Sequence, residues 1–111
     1  MGIVRKRETA KRDLIEQFVW YAENASIEVA ERFLKATDAT LDRLAKAPEI
    51  GIPVLAERDE LHGLRRYPVR GFEKMLLFYF PLSNGVDLVR VVHGSRDLAR
   101  LFDEGFFSKS E

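Results

Sequence analysis

Ile27, Ala30, Leu34, Thr37, Leu41 and Leu44 fall at alternating steps of three and four, and beyond Pro48 that spacing is not resumed. A step of that size keeps side chains on one face of a helix, so residues 26 to 47 predict a long amphipathic helix. Ser26 is placed to cap its first turn, where Glu28 adds the negative charge that the helix dipole favours. An earlier run has the same period. Leu14, Phe18 and Tyr21, flanked by Ile15, Val19 and Ala22, predict a helix from Ala10 to about Glu23 with a broad buried face and Thr9 as its N-cap. The intervening Asn24-Ala25-Ser26 is too short to do more than turn the chain, so the two form a helical hairpin.

After Pro48 the signals are those of a sheet. Pro48 to Glu60, with Gly51 and Pro53, has turn residues and no period and reads as a connector. Leu64 to Val69 alternates, with Arg65, Tyr67 and Val69 on one face and Leu64, Arg66 and Pro68 on the other; the proline predicts an edge or a strand end. Arg70-Gly71 is the expected turn. Phe72 to Phe80 is apolar enough for a central strand, and Ser83-Asn84-Gly85 predicts a hairpin leading to a last strand, Val86 to His93. Ile3 to Arg7 is β-branched at its start and reads as a first strand, and Asp97 to Phe102 as a final short helix. The expected fold is α+β, β-α-α-β-β-β-(α): an antiparallel meander plus an N-terminal strand, with the helical hairpin packed on one face.

The chain has 111 residues, 46% of them hydrophobic with eight Phe, which suits one domain over residues 1–111 with one core. Its longest apolar stretch, Met75 to Leu82, is eight residues, far below the ~20 of a membrane-crossing helix, so no membrane partner is expected. No apolar run of signal-peptide type follows the basic residues near the start, and a cytoplasmic protein is expected. The absence of cysteine excludes disulfides, thiolate metal sites and a Cys nucleophile. With His62 and His93 as the only histidines, and neither a GxGxxG nor a Walker pattern, no metal and no cofactor is expected.

Lysine plus arginine balance aspartate plus glutamate at 18 each, but unevenly along the chain. Residues 13 to 49 are net acidic; residues 61 to 100 hold Arg65, Arg66, Arg70, Lys74, Arg90, Arg96 and Arg100 against three acids. In a meander, Arg65 or Arg66, Lys74 and Arg90 can converge on one exposed sheet face, joined from its end by His93 and Arg96. Such a surface suits phosphate or carboxylate groups. It can be a contact for a nucleic acid or an acidic protein, or a metal-free ribonuclease site. The structural alternative pairs these arginines with Glu73, Asp87 and Asp97 as surface salt bridges.

Several strings bear a resemblance. Leu61-His62-Gly63-Leu64-Arg65-Arg66-Tyr67-Pro68-Val69, Gly71-Phe72, Leu77-Phe78-Tyr79 and Val89-Arg90-Val91-Val92-His93-Gly94-Ser95-Arg96-Asp97-Leu98 strongly resemble the ParE branch of the RelE/ParE toxin superfamily. Asp13-Leu14, Tyr21, Ala30, Phe33 and Pro48-x-x-Gly51 are similar to the same family. The resemblance implies a β-α-α-β-β-β fold and the toxin of a type II toxin-antitoxin (plasmid stabilisation) module. Such a toxin is silenced by a co-expressed antitoxin in a hetero-oligomer. It further implies DNA gyrase as target, with binding rather than catalysis as the mode of action; fold alone leaves the target open. Arg65, Arg66, Arg90, His93 and Arg96 are the candidate target-binding residues. The RelE-like alternative is a ribosome-dependent messenger RNA endoribonuclease with His93, Arg90 and Arg65 as its catalytic candidates. RNA-cleaving members tend to carry a His or Tyr late in the chain; here no Tyr follows Tyr79, and Asp103-Glu104-Gly105-Phe106-Phe107 is acidic and aromatic. Family antitoxins fold onto the toxin as a helix in a groove and often an added strand. The apolar positions of the hairpin and sheet edges are the candidate contacts, with any exposed members among Phe102, Phe106 and Phe107, whose alternative role is to close the core.

Overall fold

The computed structural model describes residues 2–55 and 58–95. The elements run β1 (Ile3–Lys6), α1 (Glu8–Asn24), α2 (Ile27–Lys46), a 3-10 turn at Pro48–Ile50, β2 (Ile52–Pro53), a second 3-10 turn at Asp59–Leu61, β3 (Arg65–Val69), β4 (Phe72–Leu82) and β5 (Gly85–His93). The strands form one five-stranded sheet in the order β1-β5-β4-β3-β2. The meander β3-β4-β5 is antiparallel and β1 joins it parallel to β5. The expected connector therefore contributes a fifth strand, two residues long, pairing Ile52 with Arg66 and Pro53 with Arg65. Because β2 stops there, Pro68 has no strand on its outer side, which is where a residue without an N–H can sit. The short helix expected at Asp97 to Phe102, and Phe102, Phe106 and Phe107, lie outside the described residues.

The sheet is covered on both faces. Under the helical hairpin, Leu14, Phe33, Leu41 and Leu44 pack with Val69, Met75, Leu77, Tyr79, Leu88 and Val91. On the opposite face Phe78, Val89 and Val92 meet Leu61 and Leu64 from the segment that precedes β3. Each such side chain, fully buried, contributes roughly 1.5–3 kcal/mol of transfer free energy. This two-sided cover explains the unbroken apolar reading of β4.

α2 follows its sequence pattern, with Ser26 Oγ accepting from Val29 N at 3.1 Å. Two expectations for α1 need correction. Its N-cap is Arg7, not Thr9. Its apolar face is also only half used: Leu14 is buried, but Ile15 is 64% and Val19 44% exposed. Gly71 takes a positive φ of 89° in the Arg70-Gly71 turn. Gly85 follows the Ser83-Asn84 turn, and a Cβ there would collide with the Ile3 carbonyl. Glycine at 85 thus lets β1 approach β5, while Asn84 does not adopt positive φ.

Candidate functional site

β1 ends at Lys6, so β5 loses its backbone neighbour just past Leu88, whose carbonyl accepts from Arg7 N at 3.0 Å. The remaining edge of β5 would leave polar backbone groups buried without partners, a cost of about 1–3 kcal/mol each. α1 meets that need with side chains. Thr9 Oγ1 donates to the Val89 carbonyl at 2.8 Å, and one turn later Asp13 Oδ2 accepts from Val91 N at 2.9 Å. The same Asp13 oxygen accepts from Arg90 Nε at 2.7 Å, while Oδ1 accepts from Arg90 Nη2 at 3.2 Å.

Arg90 is thus 3% exposed and engaged by a carboxylate that is itself buried. This corrects the expectation that Arg90 belongs to an exposed basic face. The strand register slips between Phe78 and Tyr79, so that Val89 is the extra residue between the pairs Phe78↔Arg90 and Tyr79↔Leu88. A bulge re-aims side chains, and simple alternation along β5 fails at this point. Arg66 does occupy the same row, opposite Phe78 from the β3 side.

Arg65 has a different task. Its Nη1 donates to the carbonyls of Glu49 at 3.0 Å and Gly51 at 2.6 Å, and its Nη2 lies 3.2 Å from Glu49 Oε1. From the other side the Tyr79 hydroxyl donates to the Pro48 carbonyl at 2.7 Å and accepts from Gly51 N at 2.9 Å. A Cβ at Gly51 would strike that hydroxyl, so the Pro48-x-x-Gly51 motif is a socket for Tyr79. Burial pushes the Tyr79 phenol above its ordinary value, against a smaller opposite pull from its hydrogen bond to Gly51.

His93 lies at the far end of the sheet, opposite Met75, with its Nδ1 3.2 Å from Ser95 N and 2.7 Å from Ser95 Oγ. Arg65 is opposite Tyr79, four positions along β4 from Met75 and two strands from β5. That separates Arg65 from His93 by about 13 Å along the strands and about 10 Å across them. The three catalytic candidates, His93, Arg90 and Arg65, are therefore not brought together. Arg96 lies outside the described residues. Of the acids in the surface-pairing alternative, Asp87 pairs with Arg7 at 2.8 Å and the Glu73 carboxylate accepts from Gly71 N at 2.7 Å, while Asp97 lies outside the described residues.

The end of the sheet at His93 carries basic residues. Arg70, in the β3-β4 turn, and Lys74, whose carbonyl accepts from Gly94 N at 2.6 Å, are both exposed there. Elsewhere the exposed side chains of interest are apolar. Ile50, Ile52 and Leu55 flank the outer edge of β2, Leu55 being 95% exposed. Between α1 and α2 an apolar groove of about 230 Å³ is lined by Leu14, Ile15, Phe18 and Leu34. No described helix is long and apolar enough to cross a membrane.

Sequence reasoning missed the Asp13 role and the Tyr79 socket. A carboxylate one turn after Thr9, in line with Ala10 and Leu14 on the inward side of α1, was the available signal for the first.

Residues 4–98 match the family described as ParE toxin of type II toxin-antitoxin system, parDE. No curated protein matches the chain. Among solved structures, a chain of the chromosomal ParDE toxin-antitoxin system from P. aeruginosa superposes with a TM-score of 0.66 at 14% sequence identity, covering 84% of this chain and 96% of that one. At that identity the likeness concerns the fold.

Proposed function

This chain belongs to the ParE toxin family of type II toxin-antitoxin systems, and from that premise we propose that it acts in the cytoplasm by binding DNA gyrase and blocking replication. A co-expressed antitoxin holds it silent in a hetero-oligomer. The observation that carries binding over RNA cleavage is the fate of Arg90, the central member of the alternative catalytic set. Its guanidinium is spent on Asp13, away from solvent. A ribonuclease needs its cations where a phosphorane develops, and one already held by a buried carboxylate is not available to it.

The target surface is the basic end of the sheet, which carries Arg70, Lys74 and His93, with Arg66 further along β3. Exposed cations there would meet acidic groups on the target and speed its capture. The antitoxin is assigned to the open edge of β2. Among the described residues that edge has a strand on one side only, and it carries Ile50, Ile52 and Leu55, which fits an added strand with apolar side chains.

The test is gyrase supercoiling with purified components. The chain should inhibit it, the antitoxin should relieve the inhibition, and Arg70→Glu with Lys74→Glu should weaken it by at least about tenfold. Uninhibited gyrase, with messenger RNA cut on translating ribosomes, would reject the proposal.

A further inference from the structure

Pro53 decides what the open edge of β2 can accept. The extended chain continues past it to Val54, whose N–H donates to the Leu64 carbonyl at 2.9 Å, in register with the pairs Ile52↔Arg66 and Pro53↔Arg65. In an antiparallel ladder the backbone groups of successive residues point alternately to the two sides. Those of Ile52 and Val54 therefore turn towards β3, and those of Pro53 and Leu55 turn outward. Gly51, further back, is already engaged, its N–H by the Tyr79 hydroxyl and its carbonyl by Arg65. Among the described residues the outer side thus offers the carbonyls of Pro53 and Leu55 but a single N–H, that of Leu55. Where a second N–H would stand there is the pyrrolidine ring.

These three groups do not serve both directions of an added strand equally. Along a parallel neighbour, the residue opposite Val54 donates to the Pro53 carbonyl and accepts from Leu55 N–H, and the second residue after it donates to the Leu55 carbonyl. All three groups are used, and the neighbour begins where the proline ring ends. An antiparallel neighbour forms two bonds with Leu55, but the residue it sets opposite Pro53 turns its carbonyl into the ring and leaves it unpaired.

We infer that the strand seated at this edge runs parallel to β2, entering beside Ile50 and leaving past Leu55, with Pro53 as the residue that sets its direction. A second copy of the chain does not fit as that strand. Two hydrogen-bonded edges related by a two-fold axis pair antiparallel, and each would bring a Pro53. The inference rests on the assignment of this edge to an extended segment of the antitoxin, and gives that segment its direction.

The chain has no cysteine, so Ile50→Cys, at a site 42% exposed, gives it a single thiol just ahead of the edge. Two synthetic peptides serve as probe strands, each Val-Thr-Val-Thr, one with Cys-Gly-Gly before it and the other with Gly-Gly-Cys after it. The spacer reaches about 10 Å, enough to pass from residue 50 to residue 53. Tethered by its N-terminus a peptide lies along the edge parallel to β2, and tethered by its C-terminus it lies antiparallel. Both compete for the thiol in a glutathione exchange buffer, and mass spectrometry reads the two mixed disulfides at equilibrium. The N-terminal tether should exceed the C-terminal one by at least about fivefold, the effect of one hydrogen bond, while Gly-Ser peptides with the same ends should show no preference. Adding Pro53→Val supplies the missing N–H and should bring the ratio to about one or below, since antiparallel pairing is then complete. Equal amounts on the Pro53 chain, an excess of the C-terminal tether, or a ratio that Pro53→Val leaves unchanged overturns the inference while the edge still takes a strand. If neither Val-Thr peptide accumulates above its Gly-Ser counterpart, the edge takes no strand and the antitoxin assignment falls with the inference.

Discussion

Replacing Asp13 by alanine removes, among the described residues, three accepted hydrogen bonds at once. Arg90 Nε and Nη2 lose their carboxylate at 2.7 and 3.2 Å, and Val91 N loses its acceptor at 2.9 Å. The guanidinium remains in place, 3% exposed, without the carboxylate that faces it. Breaking a buried pair from one side costs about 3–5 kcal/mol. A domain of this size has about 5–15 kcal/mol in all, so Asp13→Ala should sit close to unfolding. Removing both charges is different. Asp13→Leu with Arg90→Met removes both buried charges and, among the described residues, leaves the Val91 N–H without its acceptor, for about 1–3 kcal/mol. Urea denaturation followed by circular dichroism measures both variants, and the double-mutant cycle closed with Arg90→Met and Asp13→Leu gives the coupling directly. We expect the double variant to be more stable than Asp13→Leu by about 2 kcal/mol or more. An Asp13→Ala variant losing less than about 1 kcal/mol, or a double variant as unstable as the sum of its singles, would refute the buried-pair reasoning.

Tyr79→Phe deletes the hydroxyl that holds Pro48 and Gly51, and should cost about 1–3 kcal/mol and speed amide exchange at Gly51. The Tyr79 phenol is held protonated by burial above its value in the unfolded chain. Its contribution to stability is present below the unfolded value of about 10 and is lost as pH rises through the higher folded value. Phenolate absorbance of the wild type minus that of Tyr79→Phe should show this late titration, and a difference curve centred near 10 would contradict it. Gly85→Ala should force β1 from β5 and destabilise the chain by about 3 kcal/mol in a thermal melt; an unchanged melting temperature would mean that β1 is not held as described.

The helices and the meander could be read from period alone, because apolar spacing is imposed by local geometry. β1 beside β5, the two-residue β2 and the fate of Arg90 could not, because each depends on distant partners. Arg90 lies among valines in a strand, and alternation sends a charged residue in that setting to solvent. Its partner Asp13 is 77 residues away, and the bulge at Val89 breaks the alternation on which the expectation relied. α1 shows the converse. Ile15 and Val19 keep the helical period that predicts burial, but period reports only that a face is apolar, and both side chains are exposed here. Arg65 was singled out for charge, and its guanidinium is instead a brace for the Pro48–Gly51 loop. Of the basic residues singled out in the sequence, Lys74 and His93 lie at one end of the sheet and Arg66 on β3.

Induced expression of the wild-type chain without a partner, with DNA and protein synthesis followed separately by label incorporation, bears most directly on gyrase as the target. DNA synthesis should fall first while protein synthesis continues. Collapse of protein synthesis first would contradict it and move His93 to the centre of a ribonuclease reading.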